Sequence, residues 1–317
     1  MSRSGIAAQI GYGQETTVGT AVTPTRFLPL AGDPDLGLDV TRVESEGDIP
    51  GRLVLSSNQW RSGSKMVGGS VQHELPVAGG GLLLYNALGA KGSTSGAGPY
   101  TTVLTPGEVF GKALTVQVGL PDVANTTHKF VYAGCKIQEL EIAAELDKPV
   151  QMGVTFIGMT ETTGGSVTAA SFGTGHTVPY SSITDGALTI AGSAQPCQGF
   201  KTKITRTLAE RRFDGQPTTS EPIDAGRLDL AGEITVEFDG LTAYNRFVNG
   251  TEAAWVYSLT QGDNVMTFDG NVRFDKTRPV RNGRGIGTLT MPVVFLSDGS
   301  ADSDALSVTV VNSDSTL

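Results

Sequence analysis

Few side chains in this sequence suit metal ligation, nucleophilic attack or proton transfer near neutral pH. They are the three histidines His73, His128 and His176 and the two cysteines Cys135 and Cys197. Zinc sites need ligands at short, regular separations, and no His-x-x-x-His or Cys-x-x-Cys pair occurs. His73 stands beside Glu74 in a strand-like stretch and reads as a structural or surface residue. The cysteines fall in different halves of the chain, too sparse for a disulfide framework, so both read as small buried apolar groups. Gly11-Tyr12-Gly13 and Gly283-Arg284-Gly285-Ile286-Gly287 have the glycines of a phosphate loop but not the strand before and helix after that such a loop needs, so both read as turns. No Gly-x-Ser-x-Gly elbow is present. These patterns predict no catalytic centre, no metal and no cofactor.

The elements carrying these residues are mostly strands. Alternation of apolar and polar side chains, the mark of a half-buried strand, recurs in Leu114-Thr115-Val116-Gln117-Val118, Leu140-Glu141-Ile142, Val150 to Phe156, Glu233 to Phe238, Leu289 to Phe295 and Ser307 to Val311. Two helices are expected, Gly79 to Gly89 and Leu241 to Val248, the first stopped by Gly89 and the second by Asn249-Gly250. The 42 glycines among 317 residues fit short strands joined by tight turns. No segment approaches the roughly 20 apolar residues of a membrane helix, and the opening Met1-Ser2-Arg3-Ser4-Gly5 has no hydrophobic signal core. The expectation is a protein made and used in soluble form.

The two halves read as imperfect copies. Asp39-Val40-Thr41-Arg42, Gly69-Ser70-Val71-Gln72-His73-Glu74 and Tyr85-Asn86 recur in order as Lys203-Ile204-Thr205-Arg206, Gly232-Glu233-Ile234-Thr235-Val236-Glu237 and Tyr244-Asn245. A spacing of about 160 residues is what a duplicated supersecondary unit leaves in sequence. The organisation expected is an N-terminal arm at 1–35, a first module at 36–160, a Gly/Ser/Thr-rich linker at 161–187, a second module at 188–311 and a tail at 312–317.

The opening Gly11-Tyr12-Gly13-Gln14-Glu15-Thr16-Thr17 through Thr23-Pro24-Thr25-Arg26-Phe27-Leu28-Pro29, with Asp48-Ile49-Pro50-Gly51-Arg52, resembles the start of tail tube (major tail) proteins of long-tailed, siphovirus-type bacteriophages, especially those of actinobacterial hosts. Leu208-Ala209-Glu210-Arg211-Arg212-Phe213 and the stretch Gly232 to Trp255 look like the second half of the same family. The resemblance implies a mainly β fold: two tandem, duplicated tail-tube-type β-sandwich or barrel modules, each with a short flanking α-helix, plus an extended N-terminal arm. It also implies rings of this chain stacked into a hollow tube through which DNA passes without specific binding. Tape measure, tail terminator and distal tail proteins would be the other partners. The location implied is the virion tail, after assembly in the host bacterial cytoplasm and with no membrane involved.

Charge refines these expectations. A cationic bore would hold DNA by counterion release, whereas the net charge of −9 suits a conduit. Glu139, Glu141, Glu233 and Glu237 are the candidate lumen-facing carboxylates. Residues 33–48 hold Asp33, Asp35, Asp39, Glu44, Glu46 and Asp48 against Arg42, a sum of −5, while 199–214 hold Lys201, Lys203, Arg206, Arg211 and Arg212 against Glu210 and Asp214, a sum of +3. These segments are expected to meet between modules around a ring of three chains with pseudo-sixfold symmetry. Arg278, Arg281 and Arg284, in a basic stretch with Arg273 and Lys276, are expected to contact the adjacent ring, as are Phe27 and Leu28 of the arm, which should order on assembly. The alternative is a secreted or surface carbohydrate-binding double β-sandwich with Trp60 and Trp255 as platforms.

Overall fold

A computed structural model describes residues 7–124, 126–238, 240–276, 278–280 and 287–317. The first half contains β1 (Gln9–Gln14), β2 (Arg26–Leu28), β3 (Asp35–Glu44), β4 (Trp60–Glu74), α1 (Gly81–Leu88), β5 (Gly89–Lys91), β6 (Tyr100–Pro106), β7 (Leu114–Pro121), β8 (Thr127–Glu145), β9 (Gln151–Gly158) and β10 (Thr160–Thr163). The second contains α2 (Ser182–Asp185), β11 (Gly186–Ile190), β12 (Ser193–Gln195), β13 (Cys197–Arg211), β14 (Ser220–Glu237), α3 (Thr242–Asn249), β15 (Ala253–Gln261), β16 (Asn264–Phe274), β17 (Arg278–Val280), β18 (Thr288–Phe295) and β19 (Leu306–Asn312). The fold is mainly β, and all its strand ladders are antiparallel.

Strand pairing repeats from one half to the other. In the first half β2 pairs β1, β1 pairs β7 and β7 pairs β8. The long β8 then forks, its N-terminal part taking β10 and its C-terminal part taking β9, which leads on to β4 and β3. In the second half β12, β11, β15 and β16 follow in the same order. β16 forks likewise, to β19 and to β18, which leads on to β14 and β13. The helices sit at matching places, between β4 and β7 and between β14 and β15. β1 and β2 are therefore part of the first repeat, where sequence reading placed them in an arm that would order on assembly. The reason is apolar patterning too short to register as periodic: Ile10, Tyr12, Phe27 and Leu28 are all buried in the chain's own core.

The repeats are sewn together. β13 adds to the free side of the C-terminal part of β8, from Gly199 opposite Glu145 to Thr205 opposite Glu139. β6 adds to β19, from Val308 opposite Leu104 to Asn312 opposite Tyr100. One hydrophobic cluster consequently runs through both halves, from Tyr12 and Phe156 to Trp255 and Phe268. The ring of Phe200 on β13 stacks 3.9 Å from Tyr257 and 5.4 Å from Trp255. Trp255 is thus core, unavailable as a sugar platform, while exposed Trp60 lies under the Arg42 guanidinium.

The helices end as their glycines require. Gly89 closes α1 at φ 102° and Gly250 closes α3 at φ 64°, left-handed conformations that a side chain resists. The helices differ in cover: α1 is buried along nearly its whole length, whereas no residue of α3 is. Among the described residues, no helix is long and apolar enough to cross a membrane.

Candidate assembly surface

A single sheet, β3-β4-β9-β8-β13-β14-β18, spans the two repeats, and alternation gives it one apolar and one polar face. Leu140, Ile142, Phe200, Ile204, Ile234 and Met291 are buried on the apolar side. The polar side carries Glu139 and Glu141, then Lys203 and Lys201, then Glu233 and Glu237, because residues directly opposite in a ladder share a face. The four candidate carboxylates therefore come together on one surface. Glu237 accepts a hydrogen bond from Gln198 at 3.1 Å.

Lys201 and Lys203 occupy a different place from the one charge matching suggested. Within the chain they do not meet the acidic 33–48 segment: Lys201 Nζ lies 2.8 Å from Glu141 and Lys203 Nζ 2.8 Å from Glu139. The physical reason is the β8 to β13 ladder, a backbone pairing between distant residues that charge sums do not reveal. All four groups are partly exposed, so these pairs orient the junction more than they stabilise it.

Beneath the junction lie two buried pairs. Arg206 on β13 reaches under α1: its Nε donates to the Ala87 carbonyl at 2.7 Å, its Nη2 to the carbonyls of Leu88 and Gly107, and its Nη1 to Asp224 at 3.0 Å. Cationic charge at a helix C-terminus satisfies carbonyls that the helix leaves open. Burial pushes the Arg206 pKa down, and the Asp224 carboxylate opposes this. Lys136 on β8 donates to Glu221 at 2.7 Å and to the Val109 carbonyl at 2.8 Å, its pKa likewise lowered by burial and raised again by Glu221. Arg211 Nε donates to the Glu221 carbonyl at 3.0 Å, and Arg212 pairs with Glu210 at 2.7 Å on the surface. Sequence reading grouped Arg206 with Lys201 and Lys203; its partner Asp224, and Glu221 opposite Lys136, carried no signal because each is an ordinary acidic residue in a polar stretch.

The acidic segment lies at the sheet margin. Asp35 and Asp39 are exposed on β3, and Asp33, Glu44, Glu46 and Asp48 are exposed around it. Among the described residues β3 pairs with no strand but β4, and its Leu36 carbonyl accepts from the Tyr132 hydroxyl at 2.9 Å. Phe27 and Leu28, 3% and 2% exposed, pack inward and are not available for ring stacking. Arg278 begins β17, which pairs with β18, and Arg281 and Arg284 lie outside the described residues.

The N-terminal motif has a structural role. The Glu15 carboxylate, 4% exposed, accepts from the backbone of Gly19 at 2.7 Å, the Thr115 hydroxyl at 2.9 Å and the backbone of Gly134 at 2.9 Å. His73 is fully buried, with Nδ1 against the Pro29 carbonyl and Nε2 against the Tyr12 hydroxyl, each at 2.6 Å. A carbonyl can only accept, so Nδ1 carries the proton and Nε2 accepts from Tyr12. Burial lowers the His73 pKa to about 4, which leaves the ring neutral. Cys135 is buried and Cys197 partly so, both as free thiols, their pKa values raised by burial. Among the described residues no cluster of three or more His, Cys, Asp or Glu side chains could hold a metal ion.

This arrangement offers strand edges and a charged wall. The comparison with curated proteins finds no match. A family model described as phage tail tube protein matches residues 5–307, nearly the whole chain. The chain belongs to the phage tail tube protein family, a structural family of the virion tail.

Proposed function

We propose that this chain assembles into stacked rings that form the hollow tail tube and that the polar face of the β3-to-β18 sheet lines the passage for DNA during ejection. The observation that carries the reading is the internal repeat of strand topology, with one repeat docked on the other through β8 and β13. A unit that already joins two copies of itself edge to edge continues that pattern into a closed ring when an edge remains at each end. Three chains then supply six modules, the first built from β1 to β10 and the second from β11 to β19.

Glu139 and Glu141 are paired to lysines, so the wall charge rests on Glu233, Glu237 and the acids of β3. Such a wall repels the DNA backbone and leaves no cationic grip to slow its passage. The tape measure, tail terminator and distal tail proteins are the other partners of such a tube, assembled in the host cytoplasm with no enzymatic step. Electron microscopy of concentrated purified protein, with native mass measurement of isolated rings, tests the reading. Rings of three chains are expected; dispersed monomers, or rings of six chains, overturn the assembly or its stoichiometry respectively.

A further inference from the structure

The two ends of the central sheet differ, and the difference suits head-to-tail stacking of the rings proposed above, on which this inference rests. Ladder register places the tips of the β3 to β4 and β13 to β14 hairpins at one end, and the β8 to β9 turn with the start of β13 at the other. At the hairpin end the backbone N–H of Lys65 donates to the Pro217 carbonyl at 2.7 Å, which holds the two tips side by side. The first tip is the longer, a loop over 45–59 whose hydrogen bonds stay within its own hairpin among the described residues.

Local sequence turns this loop outward. Ile49-Pro50-Gly51-Arg52 has the signature of a type II turn: proline in second place, Gly51 at φ 82° in third, and the Arg52 N–H donating to the Ile49 carbonyl at 3.1 Å. Leu53, next in the chain, is fully exposed, and Val54 and Leu55 are exposed after it. Trp60 and Phe213 are exposed on the same end. Three large apolar side chains in succession mark a surface that a partner covers. Arg52 is the single charged residue of 49–60.

The opposite end holds a receptor. A cavity of about 140 Å³ lies where the end of β8 meets α2, β11 and the start of β13, walled by Leu146, Leu188, Pro196, Phe200 and Tyr257 with Cys197 beside them. A space of this size takes up a benzene-sized apolar group. Because both repeats contribute to its walls, each chain presents it complete. Asp147, next to Leu146, is exposed and opposite in sign to Arg52.

We propose that the 45–59 loop of one copy seats Leu53 in this cavity of a copy in the next ring, with Arg52 against Asp147. An exposed apolar group at one end of a molecule and its receptor at the other make a heterologous contact, which propagates from copy to copy without closing. That is the property a growing stack needs. The arginine and aspartate set the approach and disfavour docking on a basic surface.

The test uses the full-length protein, followed by electron microscopy. Leu53→Cys places a thiol where it should meet Cys197 of the next ring, so mild oxidation of tubes should link chains into ladders on non-reducing gels. Leu53→Cys/Cys197→Ser should abolish the links. Leu53→Asp should leave rings intact and raise the concentration needed for tube growth about tenfold or more. Its circular dichroism should be native, because Leu53 is exposed. Folded Leu53→Cys rings that fail to stack count with Leu53→Asp in favour of the contact. Tubes of Leu53→Cys without linked chains, links that persist without Cys197, or Leu53→Asp tubes that grow like the wild type overturn the inference and leave the tube reading standing. Folded Leu53→Asp that loses rings as well as tubes also overturns it, by placing the loop within the ring. A wild type that forms neither rings nor tubes overturns the tube reading instead.

Discussion

Lys136 of the first repeat and Glu221 of the second form an ion pair of 2.7 Å whose side chains are 2% and 15% exposed. This pair welds the repeats far more firmly than the exposed pairs above it. Removing one member of a buried pair strands its partner, so Lys136→Met should cost about 3 kcal/mol in denaturant unfolding, whereas Lys201→Met should cost under about 1 kcal/mol. Lys136→Met/Glu221→Leu should recover most of that loss. A single Lys136→Met variant as stable as the wild type would show the weld to be unimportant.

His73 sets a pH dependence. Its ordinary value is 6.5 and its folded value about 4, so the unfolded chain binds the proton more readily. Its contribution is fully present above pH 6.5, declines as pH falls from 6.5 to 4 and levels off below, with a total loss of about 3 kcal/mol. His73→Gln should flatten that slope when unfolding midpoints are compared at pH 7, 5.5 and 4.5. Equal slopes in the two proteins would contradict the buried neutral ring.

The two helix-closing glycines should respond differently to alanine. A Cβ at Gly89 would lie 2.1 Å from the Gly107 carbonyl oxygen and 2.8 Å from Arg206 Nη2, while one at Gly250 meets nothing within 4 Å. Gly89→Ala should therefore cost about 3 kcal/mol or more, combining strain with a clash, and Gly250→Ala about 1 kcal/mol from the left-handed conformation alone. Thermal unfolding of the two variants side by side measures the difference.

Much of this was legible in the sequence because it depends on local periodicity. The alternation in Gln151 to Phe156 and Leu289 to Phe295, and the glycines after each helix, fixed strands and helix ends through the geometry of the chain itself. The duplication was visible because homologous strands keep their side-chain pattern.

Other features depended on which distant strands share hydrogen bonds, and a backbone ladder carries no residue signature. The partner of Lys201, the burial of Arg206 under α1 and the place of β1 and β2 inside the first repeat were decided by tertiary pairing. Composition and spacing pointed to a duplicated, mostly β protein, and the resemblance of its opening and second-half motifs pointed to the tail tube family. Only the three-dimensional arrangement decided where one repeat meets the other, because the β8 to β13 contact joins residues 54 to 66 positions apart through main-chain groups common to every amino acid.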